Sequence, residues 1–290
     1  MMRSYPYDDA GLQAALLALS QRGVEVAEVT VSVGGNVVRR YQVPTALSVP
    51  AVEASGFDEL PISDIAGIVA RRLPLAATEG DGAVEDEAAS ASASSSEPTT
   101  GASLPNKGII LIDGDAGSGK TTFAHALADA LPASAAVVSV DDISWYHDLL
   151  NWTDELIDGV ITPWRSGGAV SYRPPGWVAK ERPGAVMVPP DTRYLIVEGM
   201  AAVRPELERL GALPIFVSSD PSLALERVVG RDLSLGVNGG TRASVYGFHA
   251  GFQDAVVPFI LEQEPWSRAA LLVDGTATTP PGQFAIIEQR

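Results

Sequence analysis

Residues 111–122, LIDGDAGSGKTT, decide how the rest of the chain reads. From Gly114 to Thr121 they follow the pattern G-x-x-x-x-G-K-[ST]. Gly114, Gly117 and Gly119 allow successive backbone N–H groups to turn into one concavity. The start of the following helix adds positive partial charge there. Asp115, Ala116 and Ser118 complete the loop, and Thr122 continues it into the helix. Lys120 has the reach for the outer phosphates of a nucleotide, and the Thr121 hydroxyl suits a Mg²⁺ ligand. The bland alternative is a glycine-rich strand-to-helix turn with an incidental lysine. Its context favours the phosphate cradle, because an apolar run (GIILID, 108–113) precedes it and a helical stretch (KTTFAHALADAL) follows.

Working outward, short apolar runs recur at 135–140, 194–199, 213–218 and 270–275. Helices are expected at 120–131, 221–230 and 250–263. Continuous apolar strands separated by helices predict an α/β fold with a parallel sheet covered on both faces. Ligands of such sheets bind beyond the carboxyl ends of the strands, so the residues just after each run are the ones to inspect.

Asp141 and Asp142 follow the second run. One carboxylate there can accept a proton from an acceptor hydroxyl, and either can hold Mg²⁺ through water. Both also suit a helix N-cap. Glu198 closes the third run. A carboxylate ending a buried strand needs a partner, either a metal-bound water near Thr121 or nearby backbone N–H groups. Arg227 and Arg231 lie four apart on one helical face, capped by Asp220 or Ser222. They fit a pair closing over phosphates, or a surface face salt-bridged to Glu226 or Asp232. The glycine-rich stretch after them, LSLGVNGGTRASVYG, reads as a mobile lid or an ordinary loop. AVSYRPPGW (169–177) offers Tyr172, Arg173 and Trp177 to a base or sugar, or uses its rings to anchor a proline turn. His125, His147 and His249 have no metal-ligand spacing.

The remaining composition bounds the choices. Net charge is −16, which disfavours nucleic acid as a partner. The chain has no cysteine, which excludes disulfides and thiolate sites. No apolar run is long enough to span a membrane, and the first residues do not read as a secretory signal, so a cytoplasmic location is the expectation. Residues 76–106 are rich in Ala, Ser and Glu and read as a flexible acidic linker. Before them, 1–75 reads as a small α+β unit: a helix over 8–23, a hairpin turning at Gly34-Gly35-Asn36, and a helix within 61–73. Its role and partner are not encoded legibly. Residues 107–290 form the expected phosphate-binding domain, and homo-oligomerisation stays open.

Taken in order, the cradle, the strand-end Asp, the aromatic proline loop, IVEG, ERVVGRD and LLVDGT resemble the uridine kinase-like branch of P-loop kinases over 107–276. That branch includes nucleoside kinases, pantothenate kinase and phosphoribulokinase. The resemblance implies ATP and Mg²⁺ as cofactors and a small nucleoside-like acceptor. It implies Asp141 as general base, Tyr172 and Trp177 on the acceptor, Glu198 as the strand-end carboxylate, and Arg227 and Arg231 as lid arginines. Departures are plain. The family's aspartate in the aromatic loop is Gly176 here, and its following histidine has no counterpart. The aromatic pair is displaced to Trp145-Tyr146, and Arg242 is the only later lid arginine. Other acceptors on the same scaffold, or a nucleotide-driven switch, remain as alternatives.

Overall fold

The computed structural model describes residues 26–33, 36–44, 57–75 and 107–289. In chain order these give β1 (Val26–Val33), β2 (Asn36–Pro44), β3 (Asp58–Pro61), α1 (Ile62–Arg72), β4 (Gly108–Gly114) and α2 (Lys120–Ala130). Next come β5 (Ala135–Ser139), α3 (Val140–Ser144), α4 (Thr153–Leu156), a π-helical turn (Ile157–Ile161) and α5 (Thr162–Arg165). β6 (Val170–Tyr172), α6 (Pro175–Ala179), β7 (Val186–Val188), β8 (Tyr194–Glu198), α7 (Pro205–Glu208) and β9 (Leu213–Ser218) follow. The last elements are α8 (Pro221–Leu235), α9 (Arg242–Gln263), α10 (Pro265–Arg268), β10 (Leu271–Asp274) and β11 (Gln283–Gln289).

A seven-stranded sheet in the order β3-β11-β10-β9-β4-β8-β5 organises these elements. β5, β8, β4, β9 and β10 are parallel, and β11 and β3 extend one edge antiparallel. All five apolar runs of the sequence are these parallel strands. β4 lies in the middle, with Ile109 and Leu111 packed into one core and Ile110 and Ile112 into the other. That alternation follows from the two-residue period of a strand. With both faces covered, the strand has no need of polar positions until its end. Each such fully buried aliphatic side chain contributes about 1.5–3 kcal/mol relative to exposure, an upper value for a real unfolded chain.

The hairpin at 26–44 forms as expected, with Val33 opposite Asn36. The helix expected at 8–23 and the linker expected at 76–106 lie outside the described residues. By its position before the linker, the segment 58–72 is expected in the N-terminal unit. Here β3 pairs with β11, and Ile65, Ala66 and Val69 of α1 pack with Phe123 and Leu127 of α2. It therefore belongs to the main sheet, because its apolar face finds its partners there.

The glycine-rich stretch after Arg231 also differs from a long loop. α8 runs on to Leu235 and stops at Gly236, which has φ 66°. α9 starts at Arg242, capped by Thr241 in a capping box with Ser244, eight residues before the expected start. Val228, Val229 and Val245 join the two helices in one buried cluster. Packing and the cap outweigh the low helix propensity of the glycine and β-branched residues.

Candidate active site

The cradle rises between the centre of the sheet and α2. Gly114, Gly117 and Gly119 have φ of 149°, 80° and 101°, values that favour residues without a Cβ. At two of them space is also lacking. A Cβ on Gly114 would lie 2.2 Å from the Val217 carbonyl oxygen, and one on Gly117 2.0 Å from that of Ala224. Lys120 Nζ donates to the Asp115 carbonyl at 3.0 Å, which holds the ammonium over the loop. Ser118 is fully buried, and its Oγ has no hydrogen-bond partner among the described residues. An orphaned hydroxyl in a glycine-rich turn at a helix start is a fit for phosphate oxygens.

At the carboxyl end of β8, Glu198 is 4% exposed and Oε2 accepts the Thr121 hydroxyl at 3.1 Å. The structure thus brings together two of the three residues expected around a metal. Asp142, the third, turns elsewhere: its carboxylate pairs with Arg182 at 2.9 Å. Ser139 lies opposite Glu198 in the β5–β8 pairing, and its hydroxyl accepts from Asp141 N at 3.3 Å. Ser139, not either aspartate, is therefore the cap of α3. That leaves the Asp141 carboxylate exposed, with no partner among the described residues, two residues past the Ser139–Glu198 strand pairing.

The arginines make tighter structural contacts than a closing pair would. Arg227 Nη1 donates to the Gly275 carbonyl at 2.7 Å. It lines a cavity of about 250 Å³ with Ser118, Gly119, Thr122, Phe123 and Thr279. Arg231 pairs with Asp232 at 2.8 Å, which is the salt-bridged arrangement. Arg242 donates to the Tyr246 hydroxyl at 3.2 Å.

In the aromatic loop, Trp177 is buried. Its Nε1 donates to the Asp142 carbonyl at 2.8 Å, and the Arg182 guanidinium covers its face at 3.6 Å. Tyr172 is half-buried against Gly159 of the π-helical turn, where a Cβ would meet its ring at 2.5 Å. Both rings are placed as anchors of the proline turn. Arg173 is exposed and donates to the Arg182 carbonyl at 2.8 Å. Gly176 is explained by space: a Cβ there would lie 1.8 Å from the Trp145 carbonyl oxygen. No side chain fits at this position, so a carboxylate has no room there.

No family model and no curated protein matches the chain. Among solved structures, one similar chain is a provisionally assigned fructose transport system kinase from Silicibacter sp. TM1040. It is 19% identical with a TM-score of 0.37, over 64% of this chain and 88% of that one. Another is a provisionally assigned uridine kinase from Bacillus stearothermophilus, 16% identical with a TM-score of 0.37, over 58% and 88%. These are likenesses of fold at low identity.

Asp113 and Arg182, both near the site, are not singled out in the sequence. Asp113 is fully buried and accepts from Gly114 N at 2.7 Å and from Ala201 N and Val203 N at 3.0 Å. It binds the start of the cradle to the loop after β8. Burial pushes its carboxyl up to about 6 against those hydrogen bonds and Lys120. Burial likewise raises Asp115 to about 6, with Lys120 opposing. Asp232 is 1% exposed and joins α8 to α9 through His249 at 2.8 Å and Asn238 at 2.7 Å. Asp113 had a legible signal, an acid closing an apolar run directly before the cradle. Arg182 had none, since only the fold carries it to Asp142.

Proposed function

We propose that the chain is an ATP-dependent phosphotransferase that moves the γ-phosphoryl group of ATP to a hydroxyl of a small acceptor. One observation carries this reading: the Thr121–Glu198 hydrogen bond at the cradle, with Asp141, unpartnered among the described residues, two residues past Ser139, which faces Glu198 in the β5–β8 pairing. The cradle glycines, Ser118 Oγ and Lys120 would hold the phosphates, and the cavity beside Arg227 would take the base. Thr121 and Glu198 would hold Mg²⁺, which when bound offsets charge on the phosphate oxygens. Asp141 accepts the acceptor's hydroxyl proton as its oxygen bonds to the γ-phosphorus. The bond from that phosphorus to the β–γ bridging oxygen breaks, and ADP leaves.

A nucleoside is the first acceptor to try, on the resemblance alone. Trp177 is buried and Tyr172 is half-buried against Gly159, so neither ring adds support for a base, and pantothenate-like, sugar and nucleotide acceptors belong in the same panel. ADP release is measured with and without each acceptor. Acceptor-dependent release supports transfer, whereas turnover indifferent to every acceptor marks an ATPase switch. In Asp141→Asn, acceptor-dependent release falls roughly 10²–10⁴-fold while nucleotide binding persists. Full activity in that variant removes Asp141 from the role.

A further inference from the structure

The stretch that packs against Asp142, the neighbour of Asp141 in the chain, is rich in cations. Residues 173–182 hold Arg173, Lys180 and Arg182 against one acid, Glu181, in a chain of net charge −16. Arg182 is fixed in place by its surroundings. Its guanidinium lies 3.6 Å from the Trp177 ring centroid and 5.0 Å from that of Trp145, and Nη2 pairs with Asp142 at 2.9 Å. Among the described residues that single pairing leaves other N–H groups of the fork without a partner, in the planar arrangement that matches a carboxylate or phosphate. A third of its side chain is still open to solvent.

Lys180 points to the same chemistry. Of the three lysines, Lys120 belongs to the cradle, and Lys107 donates to the carbonyls of Trp164 and Pro190. Lys180 has no carboxylate partner among the described residues. Its ammonium lies 4.8 Å over the Tyr146 ring, a contact that orients the cation without neutralising it. Tyr146 itself is 69% exposed and has φ 50°. A bulky residue in the left-handed region is held there only by its surroundings. Here Gly176 packs against the Trp145 carbonyl, and Trp145 meets the Tyr146 ring at 4.6 Å. The Trp145, Trp177 and Tyr146 rings thus each carry a cation on one face.

We propose that the acceptor carries an anionic group, a carboxylate or a phosphate monoester, bound by Arg182 and Lys180 beside the hydroxyl that Asp141 addresses. This deepens the phosphotransferase reading and rests on it. A neutral nucleoside would offer neither cation an anionic ligand.

The test is calorimetric titration of the full chain. A non-hydrolysable ATP analogue with Mg²⁺ is added first, then ribose, ribonate or ribose 5-phosphate. One of the two anions binds about tenfold more tightly than ribose. Which one is tighter distinguishes a carboxylate from a phosphate ester. The preference disappears in Lys180→Met, an exposed change that leaves the packing intact, and in Arg182→Gln if circular dichroism shows that variant folded. Equal binding of all three sugars, binding of none, or a preference that survives Lys180→Met overturns the inference. Binding of the analogue is read separately. If it binds and the sugars show no preference, only the anionic acceptor is lost. If it does not bind, the phosphotransferase reading falls and takes this inference with it.

Discussion

Thr121 and Glu198 are 77 residues apart and share one hydrogen bond. Glu198→Gln keeps the size and an acceptor oxygen but removes the charge. The Mg²⁺ concentration for half-maximal activity is expected to rise about 10-fold, as for other residues that position metal ligands, and a Mg²⁺ titration of ADP release reads it. Asp113 makes a different prediction. Its carboxyl titrates near 6 when folded, above its ordinary value of 3.8, so the folded state holds the proton more tightly. The stability this adds is fully present below 3.8 and is lost as pH rises through about 6. Urea unfolding from pH 7 to pH 4.5 should therefore show stability rising as pH falls, and Asp113→Asn should flatten part of that rise. Asp232 shifts the other way: burial raises it, but hydrogen bonds from Arg231, His249 and Asn238 leave it lowered overall. Its contribution is lost only below 3.8, outside this window.

Among elements, the parallel strands were legible because burial on both faces forces unbroken apolar runs. The cradle was legible because backbone geometry restricts it to glycine. The Arg182–Asp142 and His249–Asp232 pairs were not, because they are fixed by packing between α3 and the α6–β7 loop and between α8 and α9. The same limit applied to β3 and α1, which look self-contained until β11 and α2 supply their other halves. Gly176 illustrates how such contacts can be tested. In Gly176→Ala the added methyl meets backbone, which cannot rotate away. Overpacking of this kind costs about 1–3 kcal/mol. A melting temperature lower by roughly 2–10 °C would follow, with weaker acceptor binding because Trp145 and Tyr146 shift. An unchanged melting temperature would show that the loop yields freely.

For the molecule as a whole, the sheet sets where the chain can be shortened. A chain beginning at residue 57 keeps β3 and α1 and should retain its urea midpoint. One beginning at residue 76 uncovers Phe123 and Leu127 of α2 and one side of β11. It loses at least the burial of Ile65 and Val69, about 1.5–3 kcal/mol each, and should be less stable and prone to aggregate. Equal midpoints for the two would mean that β3 and α1 add nothing to the sheet. The β3–β11 pairing also carries a consequence for synthesis. Its two strands are separated by more than two hundred residues, and a ribosome releases the earlier one long before the later. β3 must wait, unpaired, while the five parallel strands assemble. Closing so large a loop comes late and slowly, so the edge strand is set to be the final piece to lock, and the newborn chain is most vulnerable to proteases at that edge.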